Sequence, residues 1–498
     1  MPPTTSLASL RHRTLVLAIA CALLATASIG DASAAPAAAP AVQRSDTVPV
    51  EDGLRQVVDD ALAANLQLRA GTASVAQRMA ALDQARARYL PVLDFAARYS
   101  VADGGRSIDI PVGDLLNPVY VTLEQLTGAQ YPRVENQSID LLRDHEQETK
   151  LVVAQPVYEP RIGPAVEANR QLVNRSEADL EALRSRVIRD TKQAYYRWLA
   201  AQQVVLVLDA TREAARANLA ANESLYRNGK ITRDLVYRAE ADVLEIEQQR
   251  IAAASGVRIA QSYVNLLRNQ PLEEPLPRAE IDAQAVERFR NRLIERIAGR
   301  KPDIAMLQQL ATDHRQELRG LDAAIAAGRA QEDLARAAFK PVLAVGAEAG
   351  IQGEDYGFGD DQKYVLASVI LRWNAFRGGA DRAALSEARA FTEELRATRD
   401  LAEQQVRLEV QQAYESLAVA DASLETAQKR TEAAGGAFRI IARKRDLGQV
   451  NQAEFIDARR AYTDAELNLT RVRTEFLGRL AELEYAIGDR HRLDPEHS

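Results

Sequence analysis

Cysteine occurs once in the 498 residues, at Cys21. A disulfide framework or a thiol nucleophile in the rest of the chain is therefore excluded. Aromatic residues are scarce, at 5%. With abundant Ala, Arg, Glu, Gln and Leu, that scarcity fits long helices better than a compact mixed core. A basic excess is also missing: 63 Lys and Arg stand against 70 Asp and Glu, a formal charge of −7. Such a chain lacks the cationic density that contacts phosphates, so nucleic acid is not an expected partner. The five histidines (His12, His145, His314, His491 and His497) are scattered, without zinc-ligand spacing. The chain has no GxxxxGK[ST] loop and no GxGxxG after a strand. The acidic, glycine-rich stretch from Gly353 to Asp361 reads as a hairpin tip rather than a calcium loop. No enzyme, cofactor or metal site is expected.

Long apolar runs are also lacking beyond the N-terminus, where none approaches the ~18 residues of a membrane-spanning helix. The N-terminus itself reads as a secretory leader. Arg11, His12 and Arg13 form its basic part, Thr14 to Ile29 its apolar part, and Ala32-Ser33-Ala34 a small-residue cleavage site. Residues 1–34 are thus expected to be removed. Cys21 lies inside this leader behind Ala18-Ile19-Ala20, a poor lipobox. It reads as apolar filler, and no lipid anchor is expected. Residues 35–52 are rich in Ala and Pro and read as an extended linker.

What is present is a duplicated pattern. From Gly53, apolar residues recur at helical spacing (Leu54, Val57, Val58, Ala61, Leu62) as far as Tyr89 and stop at Pro91. Leu93, Phe95, Ala97, Tyr99 and Val101 then alternate with Asp94, Ala96, Arg98 and Ser100, the period of a strand. A polar stretch follows from Asp103 to Gln147, long enough for a functional or disordered loop. A second strand ends near Pro156, and helical periodicity resumes from Gly163 to Tyr226. As one helix that span measures roughly 95 Å, a length typical of coiled coils and helical barrels. It breaks at Asn228-Gly229, resumes to Arg268 and closes the first repeat, residues 53–277. The second repeat, residues 278–488, runs the same way. Its strands carry Leu343 and Val345, then Val369, Leu371 and Trp373, and its long helix breaks at Gly448 before a tail at 489–498.

Two strands per repeat make four per chain, too few to close a barrel, and open edges are not tolerated in lipid. Three chains supply twelve, an even number within the range of outer-membrane barrels. The heavily charged helices keep narrow apolar stripes that neighbours in a ring would cover. Leu93, Phe95, Leu343, Val345, Val369, Leu371 and Trp373 are assigned to face lipid, and Arg98, Glu348 and Arg372 to face water. The alternative is a periplasmic coiled-coil protein of structural or adaptor type; adaptors carry a lipoyl-like β domain between their helical hairpins, and no such domain is read in this sequence.

Several segments, weak singly but strong in their order and duplication, resemble the TolC-type outer-membrane efflux family. ARYLPVL and AAFKPVL resemble its helix-to-strand transitions, and QPVYEPRIG and RWNAFRGG its strand-to-helix transitions. YRNGKITRDLVYRAEADV and RDLGQVNQAEFIDARRAYTDAE resemble its helix-hairpin tips. The resemblance covers Gly53 to Gly488. It implies a mainly α fold with a small β part: two tandem repeats, long hairpins in a periplasmic α-barrel, and four strands per protomer in a trimeric twelve-stranded barrel. It implies a homotrimer in outer-membrane lipid, with a passage for small molecules or a secreted polypeptide, as in tripartite efflux or type I secretion. Its partners would be a periplasmic adaptor (a membrane fusion protein) and an inner-membrane pump of the resistance-nodulation-division, ABC or major facilitator type. The tips at Gly229 and Gly448 would dock the adaptor. The family's acidic gate ring lies six and nine positions after the second turn glycine, which selects Glu454 and Asp457 here. Relatives usually have two Asp residues there, so Glu454 departs slightly, as does Val450 at a position basic in some relatives.

Overall fold

The computed structural model describes residues 48–296, 303–355 and 357–489. The expected leader, most of the linker and nearly all of the tail lie outside the described residues. The linker's last residues are already helical. α1 (Val50–Ala64) runs to Asn65, and α2 (Leu66–Ala87) continues beyond it. The single helix read from the periodicity is therefore two. Asn65 takes a non-helical ψ of 127°, and its Oδ1 accepts from the Gln67 and Leu68 amides at 2.9 and 3.3 Å. It is an N-cap satisfying two otherwise orphaned donors.

The second repeat breaks the same way. α7 (Ile304–His314) and α8 (Gln316–Ala337) meet at Arg315, whose ψ is 122°. Each break is tied to the end of its own repeat's hairpin. Asn65 donates to the Leu267 carbonyl at 2.9 Å, and Arg315 to the Ala486 carbonyl at 3.3 Å. Those residues end α5 (Arg233–Leu267) and α10 (Gln452–Ala486).

The two long helices are α4 (Ile162–Arg227) and α9 (Ala380–Asp446), of 66 and 67 residues. At ~1.5 Å per residue each is about 100 Å long. Proline, which would interrupt them, is confined to the first turn of α4 at Pro164 and absent from α9. Each long helix turns back through the same device. Gly229 and Gly448 sit at φ +67° and +69°, a region that costs glycine nothing. The amides of Lys230 and Gln449 reach the carbonyls of Leu225 and Lys444 at 2.9 and 2.8 Å, closing a Schellman motif at each tip.

α4 packs on both α5 and α10, and α10 packs on α9, so the four helices run side by side in the order α5-α4-α10-α9. Over much of their length the buried positions are small, such as Ala168, Ala182, Ala215, Ala239 and Ala465, which lets the backbones approach closely. The large core is confined to one belt. There Leu54, Val57, Tyr195, Trp198, Val264, Leu307, Leu424, Phe476 and Leu483 bury against one another. Tyr195 stacks on Trp198 at 5.7 Å, and its hydroxyl donates to the Pro277 carbonyl at 2.8 Å. α6 (Ala283–Arg296), which the sequence reading did not anticipate, adds Ala285, Val286 and Phe289 to this belt.

The strands β1 (Val92–Val101), β4 (His145–Tyr158), β5 (Val342–Gly353) and β6 (Lys363–Arg372) form one antiparallel sheet in that order. The long polar stretch between β1 and β4 is ordered. It holds a hairpin of β2 (Ser107–Ile110) and β3 (Gln137–Asp140), with α3 (Val112–Thr127) between them. Among the described residues no helix is long and apolar enough to cross a membrane.

The cap at Asn65 generates a prediction. Asn65→Ala removes both the cap and the tether to Leu267, whereas Asn65→Ser keeps an acceptor for the amides. Thermal unfolding followed by circular dichroism should show a loss of about 2 kcal/mol for the alanine variant and roughly half that for serine.

Candidate functional site

The sheet separates two chemistries. On one face the register aligns Leu93 with Val153 and Phe95 with Leu151; these continue into Ala347 and Ala349 on β5 and Ala367 and Val365 on β6. Val345 and Val369 pair on this face, as do Leu343 and Leu371. Six of the seven residues assigned to lipid by alternation therefore share one surface. The seventh, Trp373, follows β6 and donates its indole N–H to the Phe339 carbonyl at 3.2 Å. Phe95, Val369 and Leu371 are two-thirds or more exposed.

The opposite face is charged. Arg98 lies 3.5 Å from Glu146 and 3.6 Å from Glu148. Lys150 lies 2.7 Å from Glu148 and 3.7 Å from Glu348, and the Tyr364 hydroxyl donates to Glu148 at 3.5 Å. This ladder crosses all four strands. An apolar face backed by a charged one is the pattern of a strand between hydrocarbon and a water-filled interior.

Both parts of the molecule end in open flanks. β1 and β6 each present one unpaired edge. Among the helices, α5 and α9 are the outer members, and both expose apolar residues. On α5 these are Tyr237, Leu244 and Ile251, spaced by seven, with Ile259 and Leu266 beyond; on α9 they include Leu401, Leu408 and Ile440. Heptad spacing is the seam by which one helix packs along another.

The hairpin tips place the remaining sequence-assigned residues. Asn451 caps α10 by accepting from the Glu454 amide at 2.8 Å. Glu454 and Asp457 are both exposed, on the side of α10 turned away from buried Phe455 and Arg459. Arg445 from the end of α9 lies over the Phe455 ring at 4.3 Å, and Phe438 packs on both Phe455 and Tyr462.

Sequence reading missed the strongest polar contact near the tips. Arg459 on α10 donates to both carboxylate oxygens of Asp242 on α5, at 2.7 and 2.8 Å, and both side chains are almost fully buried. Arg460 adds a 2.8 Å contact to Glu245. Above this pair the Thr211 and Thr463 hydroxyls meet at 3.1 Å. Burial pulls the Arg459 guanidinium below its ordinary value, against the attraction of Asp242. It stays charged. The one signal in the sequence was a charged residue on each hairpin at positions otherwise taken by small or apolar groups. Pairing partners more than two hundred residues apart needs the fold.

Residues 307–489 match the model of the family described as outer membrane efflux protein. Over 174 residues, 34% of this chain, the sequence is 34% identical to protein CyaE of Bordetella pertussis, of which that stretch is 36%. Over 305 residues, 61% of this chain, it is 23% identical to the proteases secretion protein PrtF of Dickeya chrysanthemi, covering 64% of it. The chain thus spans less than two thirds of either curated relative. Among solved structures, the outer-membrane channel OprN superposes over 88% of this chain and 90% of its own, at 19% identity and a TM-score of 0.68. CusC does so over 91% and 95%, at 17% identity and a TM-score of 0.70. The MtrE outer membrane channel of Neisseria gonorrhoeae does so over 91% and 93%, at 18% identity and a TM-score of 0.67. The second repeat thus matches the outer membrane efflux protein family, and the chain as a whole shares the fold of the solved outer-membrane channels.

Proposed function

We propose that three copies of this chain close into a channel-tunnel that spans the outer membrane and extends through the periplasm. It is a passive exit duct for a secreted polypeptide or small molecules. The observation that carries this reading is the pair of open flanks. Unpaired strand edges in hydrocarbon leave backbone donors and acceptors unsatisfied, so β1 must meet β6 of the next copy, and the ring closes at twelve strands with three. The exposed stripes on α5 and α9 sit on the matching flanks of the helical part, so the same contact covers both. Isologous pairing would join two copies and stop; a heterologous flank-to-flank contact forms a ring.

The two repeats, 53–277 and 278–488, each contribute one hairpin to the tunnel. The tips at Gly229 and Gly448 are the surface for a periplasmic adaptor, behind which an inner-membrane pump supplies the energy. Polypeptide export is favoured by the sequence relatives, since PrtF is by name a proteases secretion protein. Exposure of Glu454 and Asp457 at the second tip supports a gate of six carboxylates in the trimer, which favours cations and binds multivalent ones.

Single-channel recording in planar bilayers tests this reading. The wild-type channel should be cation-selective and blocked by a trivalent cation added at the periplasmic end. Glu454→Ala with Asp457→Ala should weaken that block by roughly tenfold or more, a change of about 1.4 kcal/mol; unchanged block removes both residues from the gate.

The buried pair yields a second prediction. Asp242→Asn strands the Arg459 charge between the hairpins and should cost roughly 3–5 kcal/mol in chemical unfolding. Replacing the pair together, as Asp242→Leu with Arg459→Met, should recover most of that loss.

A further inference from the structure

The segment that closes the outer end of β1 and β4 carries a helix whose amphipathicity is reversed. Its polar side faces the protein. Asn117 donates to the Val134 carbonyl and accepts from the Val134 amide, both at 2.9 Å. Glu124 accepts from the Tyr131 amide at 3.0 Å and from Arg133 at 3.3 Å, and Tyr120 stacks on Tyr131 at 5.7 Å. Residues 117, 120 and 124 lie on one face of α3 and hold the returning chain. The opposite face carries Leu115, Val119, Thr122 and Leu126, of which Leu115 is 68% and Leu126 78% exposed.

The spacing of those four residues is four, three, four. That is the a/d seam of a helix bundle rather than the broad apolar band of a helix lying in a lipid surface. The charge around it also argues against lipid. Between Asp103 and Glu146 the chain has eight acidic residues and three basic ones, whereas helices that lie on anionic bilayer surfaces are rich in Lys and Arg. The connection selects the occupant. The hairpin bearing α3 grows from the end of β1, the strand whose free edge meets the next copy, so α3 is carried at the boundary between protomers.

We propose that the three α3 helices of a trimer pack through Leu115, Val119, Thr122 and Leu126 into a bundle that caps the extracellular mouth of the barrel. This rests on the trimeric channel reading above. The bundle buries the apolar stripe that each protomer alone leaves in water, and it makes the outer mouth a second constriction distinct from the periplasmic tips.

The test is disulfide trapping in native outer membranes, in a Cys21→Ala background. Leu115→Cys and Leu126→Cys are oxidised with copper phenanthroline, and Gln125→Cys, a quarter-turn off the seam, serves as control. Trimer formation is scored separately from the heat-modifiable band. Crosslinked protomers at positions 115 and 126, with little at 125, are the expected result. An intact trimer without seam crosslinks overturns the cap and leaves the channel standing. Seam cysteines that react only with a lipid-dissolved maleimide overturn it in favour of a membrane-facing helix. Absence of the trimer in both the wild-type chain and the Cys21→Ala parent overturns the channel reading and the cap with it.

Discussion

A row of backbone N–H and C=O groups runs unpaired down each outer strand of the four-stranded sheet, on β1 and on β6. In water such an edge is an aggregation hazard; in hydrocarbon each orphaned group costs several kcal/mol. The remaining architecture is consistent with that constraint. The apolar face carrying Phe95, Val369 and Leu371 is left uncovered by the described residues, and the charged face is held by Arg98, Glu148, Lys150 and Glu348 in mutual contact. Neither face suits a soluble hairpin packed on helices. Both suit a wall one strand thick between lipid and water.

The helical part meets a related problem by a different route. Helices of about 100 Å cannot be held by propensity alone, because exposed i,i+4 pairs contribute only a few tenths of a kcal/mol each. They are held at one belt of large side chains, by Ala seams along their length, and by the buried Arg459–Asp242 pair toward the tips. A seam of small residues resists sliding weakly, since it offers little interlocking. A buried ion pair, here one guanidinium nitrogen of Arg459 between both oxygens of Asp242, adds direction, and its value depends on both partners staying in place. Toward the tips the contact between hairpins is thus ionic as well as apolar, with Phe438, Phe455 and Tyr462 packed together near the buried pair.

Duplication accounts for details that one repeat alone would leave unexplained. Asn65 and Arg315 are unrelated side chains at equivalent breaks, yet both adopt the same extended ψ and both reach the carbonyl at the end of their own hairpin. The requirement is geometric. The chain must leave the helical direction there and be tied to the hairpin's end, and either a short amide or a long guanidinium meets it.

Much of the fold was legible in the chain itself. Alternation marked the four strands, because a strand with one apolar face repeats every two residues. Pro91, Pro341, Gly229 and Gly448 marked the ends of helices, because proline cannot continue one and glycine takes the positive φ of a turn. Repetition of the whole pattern revealed the duplication. The break at Asn65 escaped, since a single capping residue hardly disturbs helical periodicity. α3 escaped too, because Asn117-Pro118 reads locally as a turn signal and its apolar stripe faces outward instead of toward a core. Tertiary structure alone decided which charges meet across the strands, the union of Arg459 with Asp242, and which strand edges and helix flanks stay free. These depend on residues far apart in the chain, and local sequence carries no record of such distances.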